Sequence, residues 1–247
     1  MKINLSENAA ELGNRAAKLT AKELNKAIAK NGEARLVLST GASQFETIAA
    51  LLREDVDWSK VEVFHLDEYV DLPITHVASF RKYIKERFAD WAKPKAVHYV
   101  NTEGDLAANI AALTEKLREK PVDVALIGIG ENAHIAFNDP PADFDTDEAY
   151  IVVNLDDKCR NQQLGEGWFA TIDDVPKQAV SMTVKQIMSA KVIVSCVPHR
   201  VKAQAIKDTL ENDLTPYVPA TMLKTHPEWY LFIDKHSAEK VDIEKYL

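Results

Sequence analysis

The chain has 247 residues, 46% hydrophobic and 28% charged, the balance of a chain that folds around a substantial core rather than a disordered one. A formal net charge of −8 with no dense Lys/Arg run argues against a nucleic-acid surface, yet leaves room for a locally positive pocket that takes a small anion. The first residues lack a signal-peptide apolar stretch, no apolar run reaches membrane-spanning length, and Cys159 and Cys196 form neither a CxxC pair nor a disulfide framework, so a cytoplasmic, reducing setting is the expectation.

In chain order, residues 6–30 are expected to form a long helix: Ser6 can cap it, Leu12, Ala16, Leu19 and Ile28 share a face, and Asn31-Gly32 supplies a stop. Arg35 to Ser39 reads as a strand, Thr40-Gly41-Ala42-Ser43 as a tight turn and Gln44 to Arg53 as a helix. A strand at Val61 to Leu66 runs into Asp67-Glu68-Tyr69, and a helix capped by Ser79 reaches Phe88. A short strand at Ala96 to Val100 and a helix at Leu106 to Glu119 lead to the apolar run Val122 to Ile127, which ends in Gly128-Ile129-Gly130. Further strands are expected at Tyr150 to Leu155, Ala179 to Thr183, Lys191 to Val197 and Trp229 to Ile233. A helix at Val201 to Leu210, a helical turn at Val218 to Lys224 and a terminal helix complete the reading. Strands that alternate with helices of ten or more residues imply parallel pairing with right-handed crossovers. With no internal repeat or linker, one domain over 1–247 is expected: a doubly wound, mostly parallel α/β sheet with helices on both faces, Rossmann-like.

Four stretches carry chemistry. The turn Thr40 to Ser43 offers small residues and hydroxyls at a helix start, which suits a phosphate, although an ordinary strand-to-helix turn has the same look and no Walker A pattern is present. Asp67 and Glu68 follow a buried run, where carboxylates are expensive unless they have a partner or a task such as proton abstraction; a solvated loop start is the plain alternative. No spaced ligand set supports a metal there. Gly128 to Ala133 matches GxGxxG/A, but Pro140-Pro141 arrives too soon for the long helix a dinucleotide site needs, so the glycines are read as a turn that presents His134 past a strand's C-terminal end. Finally, His199, Arg200 and Lys202 follow a buried strand; cations oppose the dipole at a helix start, so an anion clamp centred on Lys202 is the functional reading and a solvated basic loop the plain one.

Taken together these residues resemble the family of glucosamine-6-phosphate deaminases (isomerases) and 6-phosphogluconolactonases over nearly the whole chain. Leu38 to Ser43 looks like the family's phosphate loop, Phe64 to Pro73 like its DEYxxLP segment, Gly128 to Pro140 like GxGxDGHIAFNEP, and Val197 to Ala203 like the turn with a phosphate-binding lysine. The resemblance implies a sugar-phosphate enzyme with no metal and no cofactor. It places the proton transfer between C2 and C1 on Asp67, ring opening on His134, and orientation of the histidine on Asp139. It puts phosphate on Thr40, Gly41, Ala42 and Ser43 with Lys202, and sugar contacts on Gly128 and Gly130. Glu68 and Arg160 are further substrate-binding candidates, Arg160 as a stand-in for the family's phosphate arginine.

Three departures stand out: Asn132 replaces the family's aspartate, Ala133 its glycine, and Asp139 its glutamate. The leading expectation is a deaminase-isomerase for a hexosamine 6-phosphate. A 6-phosphogluconolactonase-like hydrolase is disfavoured by Tyr69, where those enzymes tend to carry arginine, and a non-catalytic sugar-phosphate binder or sensor is suggested by Asn132, which cannot take up a proton, with Ala133 and Asp139. The partner expected is a small sugar phosphate, with neither nucleic acid nor membrane; a homo-oligomer is left open.

Overall fold

The computed structural model describes residues 1–165 and 167–246. Its strands are β1 (Lys2–Ser6), β2 (Ala34–Leu38), β3 (Val61–His65), β4 (Asp67–Tyr69), β5 (Ala96–His98), β6 (Val124–Leu126), β7 (Tyr150–Asn154), β8 (Gln178–Met182), β9 (Val192–Val197) and β10 (Trp229–Asp234). The helices are α1 (Ala9–Asn31), α2 (Phe45–Leu51), α3 (Phe80–Ile84), α4 (Asp90–Ala92), α5 (Leu106–Arg118), α6 (Asp157–Gly165), α7 (Val184–Met188) and α8 (Ala203–Glu211).

Seven strands form one parallel sheet in the order β1-β10-β9-β6-β2-β3-β5. Both faces are covered, so the central strands are apolar on each side, the pattern expected of a buried parallel sheet. Leu36, Leu38, Val63, Val124 and Leu126 face a core completed by α1 and α2. Val37, Phe64, Ala125 and Ile193 face a second core under α5, α7 and α8. The expected doubly wound architecture is therefore the one observed. From β2 the chain winds outward through β3 and β5, then returns to β6 and winds the other way through β9 and β10. The β2/β6 boundary is thus the topological switch point, where open α/β sheets leave a crevice at their carboxyl ends.

Helix α1 starts one residue after Asn8, whose side chain accepts from Glu11 N, and stops at Gly32, whose φ of +80° and N–H bond to Ile28 O close the last turn. The cap expected at Ser6 is not used. Ser6 is the last residue of β1, a strand missing from the sequence reading, and pairs with Asp234. Gly13 allows α1 to cross α2 closely, since a Cβ there would meet the Glu46 carbonyl carbon at 2.7 Å.

Two further expectations are corrected. β7 and β8 do not extend the parallel sheet: they pair antiparallel with each other, and β8 pairs antiparallel with β4, in a separate small sheet ordered β4-β8-β7. The terminal segment carries one 3₁₀ turn at Ile243–Lys245 rather than a helix. Among the described residues no helix is long and apolar enough to cross a membrane.

Candidate active site

The four stretches singled out in the sequence follow β2, β3, β6 and β9, adjacent strands that straddle the switch point. One cleft at their carboxyl ends is lined by Thr40, Gly41, Ala42, Ser43, Asp67, Gly128, Gly130, His134 and Lys202. Sequence-distant segments are thus gathered by the topology alone.

Asp67 sits where the chain leaves one sheet for the other. β3 ends at His65, the Leu66 carbonyl accepts from Met182 N at 2.7 Å, and β4 begins at Asp67. A strand's period of two then turns Asp67 and Tyr69 one way and Glu68 the other. Asp67 is 7% exposed, and its Oδ1 has no hydrogen-bond partner among the described residues. Burial, then the neighbouring Glu68 charge, pushes its carboxyl up to about 8. A carboxylate raised this far is a strong base near neutral pH.

Glu68 was expected to touch substrate, but it is fully buried and committed to the fold. Its carboxylate accepts from Ser79 Oγ, Phe80 N, Arg81 N, Arg81 Nε and Tyr69 N at 2.7–3.2 Å. It anchors the start of α3 and does not line the cleft. Arg160 is likewise turned away: its guanidinium donates to the Val175 and Ile172 carbonyls and pairs with Asp157.

His134 stands on a compact turn. Gly130 N donates to His134 O, Ala133 N to Gly130 O, and Ala220 N ties down Ala133 O. Gly130 is the seat of the imidazole: a Cβ there would lie 2.2 Å from His134 Cε1. Asp139 accepts from Asn132 Nδ2 at 2.8 Å, which turns Asn132 Oδ1 toward His134, 3.1 Å from its N–H and 2.5 Å from Nδ1. Asp139 Oδ1 is itself 3.3 Å from Nδ1. Both groups facing Nδ1 are acceptors, so the ring proton belongs there, and Nε2 keeps its lone pair for chemistry. Burial alone pushes the Asp139 carboxyl up, but the hydrogen bond and charge of His134, with hydrogen bonds from Asn132 and Cys159, hold it down at about 2. Asn132 and Asp139 thus act on the histidine from behind and do not line the cleft.

Ala133 has φ +63°, in the left-handed region where an alanine costs about 1 kcal/mol relative to glycine. The glycine of the resemblance therefore answers to backbone shape at this position.

At the other loops, Gly41 adopts φ +97°, and its carbonyl is tied back by Gln44 N and Tyr83 Oη at 3.0–3.1 Å. An oxygen that would repel an anion is thus occupied, next to the small residues of the turn. Gln44 Nε2 fixes this turn to β9 through the Cys196 carbonyl. Gly128 packs close by, and a Cβ there would lie 3.3 Å from Gln44 Nε2. Of the basic residues after β9, Lys202 and His199 line the cleft, while Arg200 pairs with Glu239 at 2.9 Å outside it.

The cleft also holds Ser39, Glu131 and Phe137, which lie inside the family-like segments with no role assigned to them, and Phe80 and Gln163, which no motif marked. Ser39 Oγ is buried with no partner among the described residues, and its position just before the phosphate turn was the one available signal. Gln163 arrives on α6, where nothing in its spacing marks it.

The model of the family described as glucosamine-6-phosphate isomerases/6-phosphogluconolactonase matches residues 7–231. The chain belongs to this family. Among its members, a glucosamine-6-phosphate deaminase of Lactobacillus delbrueckii subsp. bulgaricus is 34% identical over 240 residues, 96% of this chain and 98% of that one. The deaminase of Staphylococcus epidermidis is 35% identical over 225 residues, 87% and 91% of the two chains. A solved structure of a monomeric glucosamine-6-phosphate deaminase superimposes with a TM-score of 0.88 at 28% identity, over 98% of this chain and 100% of that one. The 6-phosphogluconolactonase of Thermotoga maritima shares the fold, with a TM-score of 0.78 at 18% identity over 95% and 99% of the chains. The match thus spans all four loops of the cleft.

Proposed function

We propose that this chain is a deaminase-isomerase that converts glucosamine 6-phosphate, or a closely related hexosamine 6-phosphate, and water into a ketose 6-phosphate and ammonia. The observation that carries the reading is that Asp67 and His134 line one cleft together with the Thr40–Ser43 turn and Lys202. The relatives above 30% identity that bear the name deaminase support the same choice.

The steps follow from the groups present. The phosphate binds the turn and Lys202. His134 Nε2 takes the proton of the anomeric hydroxyl and returns it to the ring oxygen, which opens the sugar. Asp67 removes the C2 proton while the C1 carbonyl oxygen takes up a proton, giving an enolamine. Asp67 then returns its proton to C1 and the nitrogen gives up one N–H proton, which replaces the proton taken up at O1 and leaves an imine at C2. Water adds to the imine carbon, and ammonia leaves with the C–N electron pair and a proton. The C2–H bond is a weak acid, so a desolvated carboxylate with a raised pKa suits the task.

The test is ammonia release and C2 proton exchange with purified protein, with 6-phosphogluconolactone assayed alongside. Activity on the hexosamine phosphate that disappears in Asp67→Asn supports the reading. Hydrolysis of the lactone alone, or full activity in the variant, overturns it.

A further inference from the structure

The cleft is short of cations. Among the described residues that line it, Lys202 is the one lysine and there is no arginine. Arg160 of α6 is spent on the Val175 and Ile172 carbonyls and on Asp157. Yet α6 is built into the site. Cys159 and Gln163 lie one turn apart on it, at the i and i+4 positions that share a helix face. Cys159 hydrogen-bonds the Asp139 carboxylate behind His134. Gln163 lines the cleft itself, although its side chain belongs to a residue only 5% exposed.

Gln163 is held by a specific contact. The Tyr69 hydroxyl donates to its Oε1 at 2.6 Å. Tyr69 in turn is wedged among Phe80, Phe137 and Phe169, with ring centroids 5.1–5.5 Å away, and its carbonyl accepts from Thr102 Oγ1. A tyrosine this constrained fixes one face of the carboxamide and turns the NH₂ the other way. No protein acceptor takes that NH₂ among the described residues. Tyr69 is also two residues from Asp67 on β4, so the strand that carries the proposed base also orients the amide.

We propose that Gln163 is a substrate-binding residue: its carboxamide NH₂ donates to an oxygen acceptor of the sugar phosphate, a neutral donor in a cleft whose fixed positive charge is Lys202. A preset donor of this kind discriminates, because a ligand lacking the matching oxygen leaves the amide unpaired. The inference rests on the sugar-phosphate reading above and names one more residue of that site.

The experiment compares wild type with Gln163→Leu, Gln163→Glu and Tyr69→Phe, measuring KM and kcat for glucosamine 6-phosphate, the dissociation constant of inorganic phosphate, and the melting temperature. Gln163→Leu should raise KM about tenfold, as loss of one well-placed hydrogen bond does, with a smaller change in kcat. Tyr69→Phe should move KM in the same direction but less, because the amide is freed rather than removed. Gln163→Glu should raise KM further. If the acceptor is the phosphoryl group, the affinity for inorganic phosphate falls in parallel with KM; if it is a sugar hydroxyl, that affinity holds while KM still rises, and either result supports the contact. KM within twofold of wild type in both Gln163 variants overturns it, as does a lowered melting temperature with KM unmoved, which would make the residue structural. A wild-type protein that neither turns over nor binds the hexosamine phosphate would instead sink the proposed function, before any variant is compared.

Discussion

Asp67 and Glu68 are consecutive residues of β4, and their carboxylates have opposite fates. Asp67 lines the cleft with an oxygen that has no hydrogen-bond partner among the described residues, while Glu68 is turned inward onto five donors, four of them at the start of α3. The pair is nonetheless coupled, since the Glu68 charge helps to raise Asp67. Glu68→Gln keeps the shape and removes the charge. The acid limb of kcat/KM should therefore move to lower pH, and a pH–rate profile from 5 to 9.5 checks the direction. Glu68→Ala leaves the buried Arg81 with the half-exposed Glu103 carboxylate and strips the donors at the start of α3 of their acceptor, and denaturant unfolding should show a loss of about 3–5 kcal/mol.

Asp67 itself trades stability for reactivity. Its folded pKa of about 8 lies well above the usual aspartate value of about 3.9 that holds in the unfolded chain, so across that window the folded state binds up to one proton more than the unfolded one. Stability is then lost as pH rises through the window, at up to about 1.4 kcal/mol per unit. Asp67→Asn removes the ionisation. It should raise unfolding stability at pH 7 by on the order of 4 kcal/mol and by little at pH 4. The same variant should lose at least about 10³-fold in kcat/KM. In wild type, kcat/KM should fall as pH drops below about 8, because the base becomes protonated. A variant that is inactive but gains no more stability over wild type at pH 7 than at pH 4 would contradict the desolvated carboxylate.

The parallel sheet and its four functional loops were legible because each strand buried on both faces is a continuous apolar run, and each run ends in residues unsuited to a core. What escaped is what depends on distant partners. β1 spells Lys-Ile-Asn-Leu-Ser, an edge strand whose ladder is with β10, more than 220 residues away. β7 and β8 look like further strands of the alternation, and nothing local says that β8 pairs with Asp67–Tyr69 across more than 100 residues. The misplacement of Glu68 has the same root. Read as a strand rather than a loop start, Asp-Glu-Tyr would have turned the glutamate away from the aspartate. Gln163 left no trace, since one glutamine on a polar helix gains its meaning from Tyr69.

The seat of the imidazole gives a sharp contrast between two glycines. At Gly130 a Cβ would fall 2.2–2.3 Å from His134 Cε1 and Nε2, so Gly130→Ala must displace the ring. Displacement of about 1 Å at a reacting group costs about 10²-fold, and kcat/KM should fall by that much with the melting temperature only slightly changed. At Gly128 the nearest atom is Gln44 Nε2 at 3.3 Å, the far end of a side chain that can shift. Gly128→Ala should therefore stay within about tenfold of wild type. Equal losses at the two positions would show that the fit of His134 is not what Gly130 provides.

Asn132 is the departure from the family pattern that most bears on mechanism, and the geometry gives it a definite task. It accepts at His134 Nδ1 and donates to Asp139, so it fixes the tautomer without exchanging a proton. Asn132→Asp still accepts at Nδ1, so turnover should survive within about tenfold. The new carboxylate, however, lies beside Asp139 where an N–H donated at 2.8 Å, and the two share a proton. That raises a folded-state pKa above its unfolded value, so the variant should match wild-type stability near pH 4 and fall below it as pH rises toward 7. Asn132→Leu removes the acceptor and the donor together. The imidazole loses its preferred tautomer, and kcat/KM should drop by roughly 10²–10⁴-fold, as it does when a histidine's orienting group is replaced. Steady-state assays of the two variants side by side decide the matter: a leucine variant as active as the aspartate one would mean that Asp139 alone orients His134.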